Sequence, residues 1–480
     1  MNQAHLMPHV IPGPGDVYEM MRWDHTRLRR RLLNGAWQPD LVSRLVLEVG
    51  SDRTNAWGVP KTVSMPHAQI SRELSTLHIR EPEVRAERGD LIFGALANGI
   101  KGSGLWAQST AYQTHVIGLR EAAWRPTAFK DGRIRYRPVW PDMMTAQADC
   151  DTPDQPVEFR ELRYRDGYGW CWDMLTIADP AYPEYRVEQA NGLDVTEAVL
   201  KGNFSGDKYP HRFNDGTPFL PLVIYHAESL GDQLWHWQHG IETVEASLDL
   251  AVGYTMLGHI LKDCSWPQRW MLGCSPAGMD SDNESSSIVT DPATVVRLVK
   301  DAEFEGQPGT GQWAAGADPE KFEAVLASLC NRIAIEAGLP ASDIQKMGGT
   351  ARSGYAISLS NEGKRVASRK FAPSFRVADE RLISISAAML NRAMGTNLPE
   401  YGYTVTYQDL PLSPEELASR RTNILEMRAA KLISRVDAYA ELHPGLSKKQ
   451  AQVELDLIDA EEAAVVVAVP VLDDPPAAAT

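Results

Sequence analysis

The residues in this sequence with the most suggestive chemistry are two glycines separated by four positions, Gly349 and Gly354, within QKMGGTARSGYA, Gln345 to Ala356. That spacing opens a phosphate-binding loop, G-x-x-x-x-G-K-[ST], in which backbone amides cradle phosphates, the lysine reaches the terminal ones and the hydroxyl holds magnesium. Here Tyr355 and Ala356 stand where the Lys and Ser/Thr belong, and the segment follows a helical pattern where the motif needs a strand. The nucleotide reading therefore fails on its chemistry. What remains is a basic loop carrying Lys346 and Arg352, with Gly348, Gly349 and Gly354 permitting close backbone approach. Such a loop is either an ordinary solvated connection or a contact to a phosphate backbone.

The other candidate constellations are thinner. DSDNESSS, starting at Asp280, places acids at alternate positions as a calcium loop does, but Ser285 replaces the sixth-place glycine and Asp291 the twelfth-place glutamate, so a solvated tip is expected. RLRRRLL puts Arg27, Arg30 and Arg31 on one helix side, which reads as a solvated face, with a contact to nucleic acid or an acidic partner as the alternative. Trp170 and Trp172 alternate on a strand beside Asp173; the spacing predicts the core face of a sheet, with a sugar-binding platform as the alternative. Five cysteines without C-x-x-C spacing read as buried thiols in a reducing compartment. There is no H-E-x-x-H and no G-x-S-x-G, so we expect no metal, no cofactor and no catalytic residues.

The elements that must position the basic loop are legible in outline, and they predict an α+β chain. Residues 14–120 read as helical pieces; from Trp124 to about Ile224, period-two segments such as EFRELRYRDGYGWCWDMLTI, punctuated by Gly, Asp and Pro, predict antiparallel sheet. GIETVEASLDLAVGYTMLGHILKD repeats apolar residues every three or four positions, and Glu242, Glu245 and Asp249 form an acidic stripe beside them. A module of about fifty residues rich in Gly, Pro and Ser follows, then Asp318 and Pro319 start a second helix that stops at Gly338. After the basic loop comes a long helical run, expected to bend or break at Pro373, then the strand YGYTVTYQDL. Ser413, Ser434 and Ser447 read as caps of three further helices, and a disordered tail is expected over 463–480.

The 480-residue chain has a net charge of −15, which argues against general nucleic-acid affinity and leaves only local contacts to a polyanion. No basic start precedes an apolar core at the N-terminus, and no apolar run is long enough to span a membrane, so we expect neither a secretory signal nor a membrane partner.

The order of these parts resembles the portal proteins of tailed bacteriophages and related gene transfer agents. The local likeness lies in IAIEAGLPASDIQKMGGTARSGYAISL, in YTVTYQDLPLSPEELASRRTNILEMRAAKLISRVDAYAELHPGLSKKQA and in GTPFLPLVIYHAES, and extends over roughly residues 120–460. The resemblance implies a portal fold in eight parts. Residues 1–235 would form an N-terminal wing, 236–263 a first stem helix, 264–317 a clip, 318–337 a second stem helix and 338–354 a tunnel loop. Residues 355–410 would complete the wing with a long helix and strand, 411–462 would form a crown, and 463–480 the tail. It implies a homo-oligomeric ring of twelve at the capsid vertex of a virion, assembled in host cytoplasm. Its partners would be double-stranded DNA passing through the channel, the terminase large subunit, the major capsid protein and a head-tail adaptor. In that frame Lys346, Gly348, Gly349, Arg352 and Gly354 face the DNA, while Glu242, Glu245 and Asp249 line the channel. Twelve copies of a chain of charge −15 carry about −180 together, which keeps sliding DNA from sticking outside the basic ring. The alternatives are a nucleotide- or carbohydrate-acting enzyme, or another head-tail structural protein.

Overall fold

The structure, a computed structural model, describes residues 17–58, 65–87, 102–149, 151–153, 155–200, 211–231, 233–236, 242–265, 269–276, 298–300, 305–312, 318–339, 354–408, 410, 414–443 and 448–468. It mixes helix and sheet, as expected. Among the described residues four helices come first: α1 (Val17–Leu33), α2 (Gln38–Val49), α3 (Ser51–Trp57) and α4 (Pro66–Glu73). A short β1 (Glu83–Ala86) and α5 (Leu105–Leu119) lead into the sheet region of β2 (Glu121–Ala128), β3 (Ile134–Val139), β4 (Met144–Ala148), β5 (Pro156–Arg165), β6 (Gly169–Thr176) and β7 (Glu184–Gln189). Next are α6 (Thr196–Leu200) and β8 (Val223–His226).

These strands form two antiparallel sheets, β3-β2-β8 and β4-β5-β6-β7. Strand alternation divides the first sheet between two cores. Ala122, Trp124, Tyr136 and Tyr225 enter a core shared with helical residues Phe371, Phe375 and Leu382. Ala123 and Val139 enter a second core with Phe159 and Leu175 of the four-stranded sheet and with Leu220 and Leu222. Each fully buried Val, Leu or Phe among them contributes about 1.5–3 kcal/mol.

The face expected to be buried in β6 is the other one. Cys171, Asp173 and Leu175 are buried, whereas Trp170 and Trp172 stand on the half-buried side. Helix α1 covers part of that side: the Trp23 ring lies 5.9 Å from Trp172, and Trp23 Nε1 and Arg22 Nη2 donate to the Met144 carbonyl at 3.1 and 2.7 Å.

Beyond β8 the chain forms α7 (Glu242–Ser265), β9 (Arg269–Leu272), β10 (Cys274–Pro276), β11 (Leu298–Lys300), β12 (Gly309–Gln312), α8 (Pro319–Glu336), α9 (Gly354–Met394) and β13 (Tyr403–Thr406). Helix α9 continues through Pro373 instead of breaking there. Pro373 is exposed, so water can satisfy the carbonyl its missing amide leaves free, and buried Phe371 and Phe375 anchor the helix on either side. β13 pairs antiparallel with β1, a partnership the sequence did not suggest.

The chain divides into two compact units. One comprises Met1–Met347 and Gly363–Asp409, the other Gly348–Glu362 and Leu410–Thr480. The second contains α10 (Pro414–Ala429), α11 (Arg435–Leu442) and α12 (Lys448–Ala468) around buried Ile424, Ala438, Ala451 and Leu455. Ser434 caps α11 as expected, accepting from the Asp437 amide at 3.0 Å. Arg435 bridges Asp459 at 2.6 Å, and the Tyr439 hydroxyl donates to Glu454 at 3.0 Å. Helix α12 runs to Ala468, past position 463 where the disordered tail was expected, because AAVVVA contains no breaker before Pro470. Ser413 and Ser447 lie outside the described residues.

Candidate DNA-facing site

The expected pair of helices around an inserted module is present. Helix α7 packs against α2, α4 and α8, and buries Val244, Leu248, Ala251 and Val252. Its contact with α8 is close: a Cβ added to Gly253 would lie 2.5 Å from Leu326 Cδ2. Asp318 caps α8 by accepting from the Glu320 amide at 3.1 Å, with Pro319 in the first turn.

Between the two helices the strands are nested. β9 pairs antiparallel with β12, and β10 with β11 inside them. The chain therefore leaves α7, runs out through β9 and β10, and returns through β11 and β12 into α8. Nested antiparallel pairing closes the excursion on itself, so the module begins and ends beside the helix pair.

The end of α8 is fixed by backbone chemistry. Gly338 has φ of 73°, and the Gly338 and Leu339 amides donate to the carbonyls of Ile335 and Ala334, both at 2.9 Å. This is a Schellman ending, with Leu339 tucked into the core beside Ala334. The Gly338 carbonyl then abuts α9, where a Cβ on Gly363 would come within 2.3 Å of that oxygen. Position 363 thus requires glycine for the chain to enter the segment that follows. Lys346, Gly348, Gly349 and Arg352 lie outside the described residues, and Gly354 is the first residue of α9.

Of the acidic stripe, Glu242 opens α7. Glu245 and Asp249 meet at one guanidinium: Arg44 of α2 approaches Glu245 Oε2 at 3.4 Å and Asp249 Oδ1 at 2.8 Å, with Glu48 at 3.9 Å. The hydrogen bond to Asp249, against the opposing effect of burial, raises the Arg44 pKa. These side chains are 34–58% exposed, so the pairs are worth about 0–1 kcal/mol, but they place one positive charge inside the stripe. Sequence reasoning missed Arg44; it sits in LVSRLVLEV, and nothing there signals a partner on α7.

Basic residues early in α9 are also engaged. Lys364 Nζ lies 2.6 Å from Glu73, and Lys370 Nζ lies 2.9 Å from Glu228. Deeper in the fold, Asp379 of α9 is a buried hub. Tyr225 and Tyr407 each donate to its carboxylate at 2.6 Å, and His78 Nε2 lies 3.0 Å away. Burial, then the neighbouring Asp379 charge, pushes both phenol pKa values well above the ordinary range. Among the described residues no group of three or more His, Cys, Asp or Glu side chains could hold a metal ion, and no helix is long and apolar enough to cross a membrane.

No family model and no curated protein matches the chain. Among solved structures, it is similar to a chain from the neck of a native gene transfer agent particle computed with C12 symmetry: 13% identity, 80% of this chain and 90% of that chain, TM-score 0.44. A chain from the virion of a native gene transfer agent particle matches at 12% identity over 78% and 89% of the two chains, TM-score 0.38. One from the neck of an empty particle computed with C6 symmetry matches at 12% identity over 84% and 93%, TM-score 0.38. At these identities and TM-scores the likenesses assign neither family nor function.

Proposed function

We propose that this chain is a structural portal subunit, twelve copies of which form a ring around a DNA channel at one capsid vertex. The observation that carries this reading is the closed excursion between α7 and α8: two packed helices joined through a nested antiparallel module, with a long helix, α9, later in the chain. In this reading α7 and α8 form the stem, and residues 264–317 form the clip that docks the terminase motor and later the head-tail adaptor. Residues 338–354 enter the channel, and residues 411–462 form the crown. Lys346 and Arg352 supply local attraction to phosphates, while Glu242, Glu245 and Asp249 keep the remaining wall acidic. The chain works by assembly and electrostatics, without chemistry of its own.

Imaging of the purified protein by negative-stain electron microscopy tests this. Rings of about twelve subunits with a central hole are expected, since a heterologous head-to-tail interface closes into a ring. A protein that stays monomeric at high concentration would count against the reading.

A further inference from the structure

The interior between the two sheets changes character along the strands. At one end it is apolar, with Ala123, Val139, Phe159 and Leu175. Moving outward on the same faces, Ala123 gives way to Arg125, Val139 to Arg137 and then Arg135, and Phe159 to Glu161, Arg163 and Arg165. Along β3 exposure rises in the same direction: Val139 is buried, Arg137 half-buried and Arg135 exposed. The sandwich is therefore sealed by hydrocarbon at one end and opens through guanidinium groups at the other.

The two carboxylates within this layer are already saturated. Glu161 is approached by Arg125 at 2.5 Å, Arg137 at 2.5 Å and Arg163 at 3.8 Å. Asp173, directly opposite it across β5 and β6, is approached by Arg165 at 2.7 Å, Arg163 at 3.2 Å and Arg125 at 3.4 Å, and accepts from the Tyr185 hydroxyl at 3.3 Å. Four guanidinium groups thus face two carboxylates, and among the described residues no third carboxylate is ion-paired with these four. The surplus is felt locally. Burial and then the Arg137 charge lower the Arg163 pKa, and burial with Arg125 and Arg392 pushes His211 down to about 3.

We infer that the open end of this sandwich binds a phosphate dianion, free or as a monoester, with Arg137 and Arg163 as its principal donors and Arg135 at its rim. Arg137 and Arg163 remain 37% and 36% exposed while engaged with these carboxylates: Arg137 holds Glu161 through both Nη atoms, and Arg163 donates Nη1 to Asp173. Planar guanidinium forks match phosphate oxygens, and the excess of two positive charges matches a group carrying about −1.5 to −2 near neutral pH better than it matches one carboxylate. The site lies in the β-sandwich and is independent of the basic segment before α9, so either reading can fail without the other.

Calorimetric titration of the full chain with inorganic phosphate and with glycerol phosphate, at constant ionic strength set with chloride, tests the inference. Saturable binding of phosphate, at least tenfold weaker in Arg163→Gln and Arg137→Gln, is the expected result. Equal binding of both probes assigns a site that accepts monoesters, and binding of phosphate alone assigns one closed around the free anion. If those variants do not fold, Arg137→Lys and the exposed Arg135→Gln serve in their place, each expected to weaken binding severalfold. The absence of saturable binding up to about 10 mM phosphate, or affinity unchanged in the variants, overturns it.

Discussion

Asp379 and Glu161 are both carboxylates with almost no exposed surface, 3% and 2%, yet the fold accommodates them by different means. Asp379 is surrounded by neutral donors, the Tyr225 and Tyr407 phenols, and by the His78 imidazole, within an apolar core closed by α9 and the three-stranded sheet. Glu161 sits among guanidinium groups at an edge that opens to water. Hydroxyls can satisfy a carboxylate without importing further charge, which suits a site closed on all sides. Guanidinium groups bring charges of their own, and these are tolerable where part of each fork remains hydrated. How a buried acid is partnered thus reports whether its surroundings are sealed or open.

The sealed site should give the largest response. Asp379→Ala leaves two phenols and an imidazole without their acceptor in the core, and is expected to cost about 3–5 kcal/mol by urea denaturation. Salt should alter that cost little, because Asp379, His78 and Tyr225 are all buried. A loss below about 1 kcal/mol would mean that the core rearranges around the vacancy and that the hub is not sealed.

The open layer should respond less, and its response should depend on pH. Burial pushes the Glu161 pKa up, but Arg125, Arg137 and Arg163 outweigh burial and hold it down to about 2, against an ordinary 4.5. A carboxyl depressed on folding contributes stability that is present above pH 4.5 and lost as the pH falls from there towards 2. Glu161→Gln is therefore expected to cost about 2–3 kcal/mol near neutrality, and the difference from the parent chain should shrink by about 2 kcal/mol between about pH 5 and pH 3. Denaturant melts of both proteins across that range check it; a constant difference would contradict the depressed titration.

Much of the frame that holds these sites was legible in the sequence, while their contents were not. Asp318-Pro319 and Ser434 announced helix starts because capping is local chemistry within three residues. Period-two alternation announced the antiparallel sheets, but it defines two faces without saying which is inside; hence Trp170 and Trp172, the more apolar pair, were expected in the core that Asp173 occupies. Asp379 sits in RVADERL, which reads as a solvated helix segment, and its partners come from three distant parts of the chain. The pairing of Ala86 with Tyr403 is equally remote, and no local pattern fixes such a register. For the candidate site, the stripe of Glu242, Glu245 and Asp249 was visible as helical spacing, but the cation that enters it from α2 was not.

That cation gives the smallest expected effect and the sharpest limit on the contrast between sealed and open charge. Arg44, Glu245 and Asp249 are all substantially exposed, so double-mutant cycles pairing Arg44→Gln with Asp249→Asn should give a coupling of about 0.2–1 kcal/mol. The coupling should vanish in roughly 1 M salt, where the screening length falls to about 3 Å. These numbers hold for a helix face bathed in solvent, as in the isolated chain or beside a wide, water-filled channel. If the coupling instead persists in high salt and exceeds about 2 kcal/mol in the assembled protein, that face must be covered by another subunit, and an acidic wall on α7 facing DNA would be ruled out.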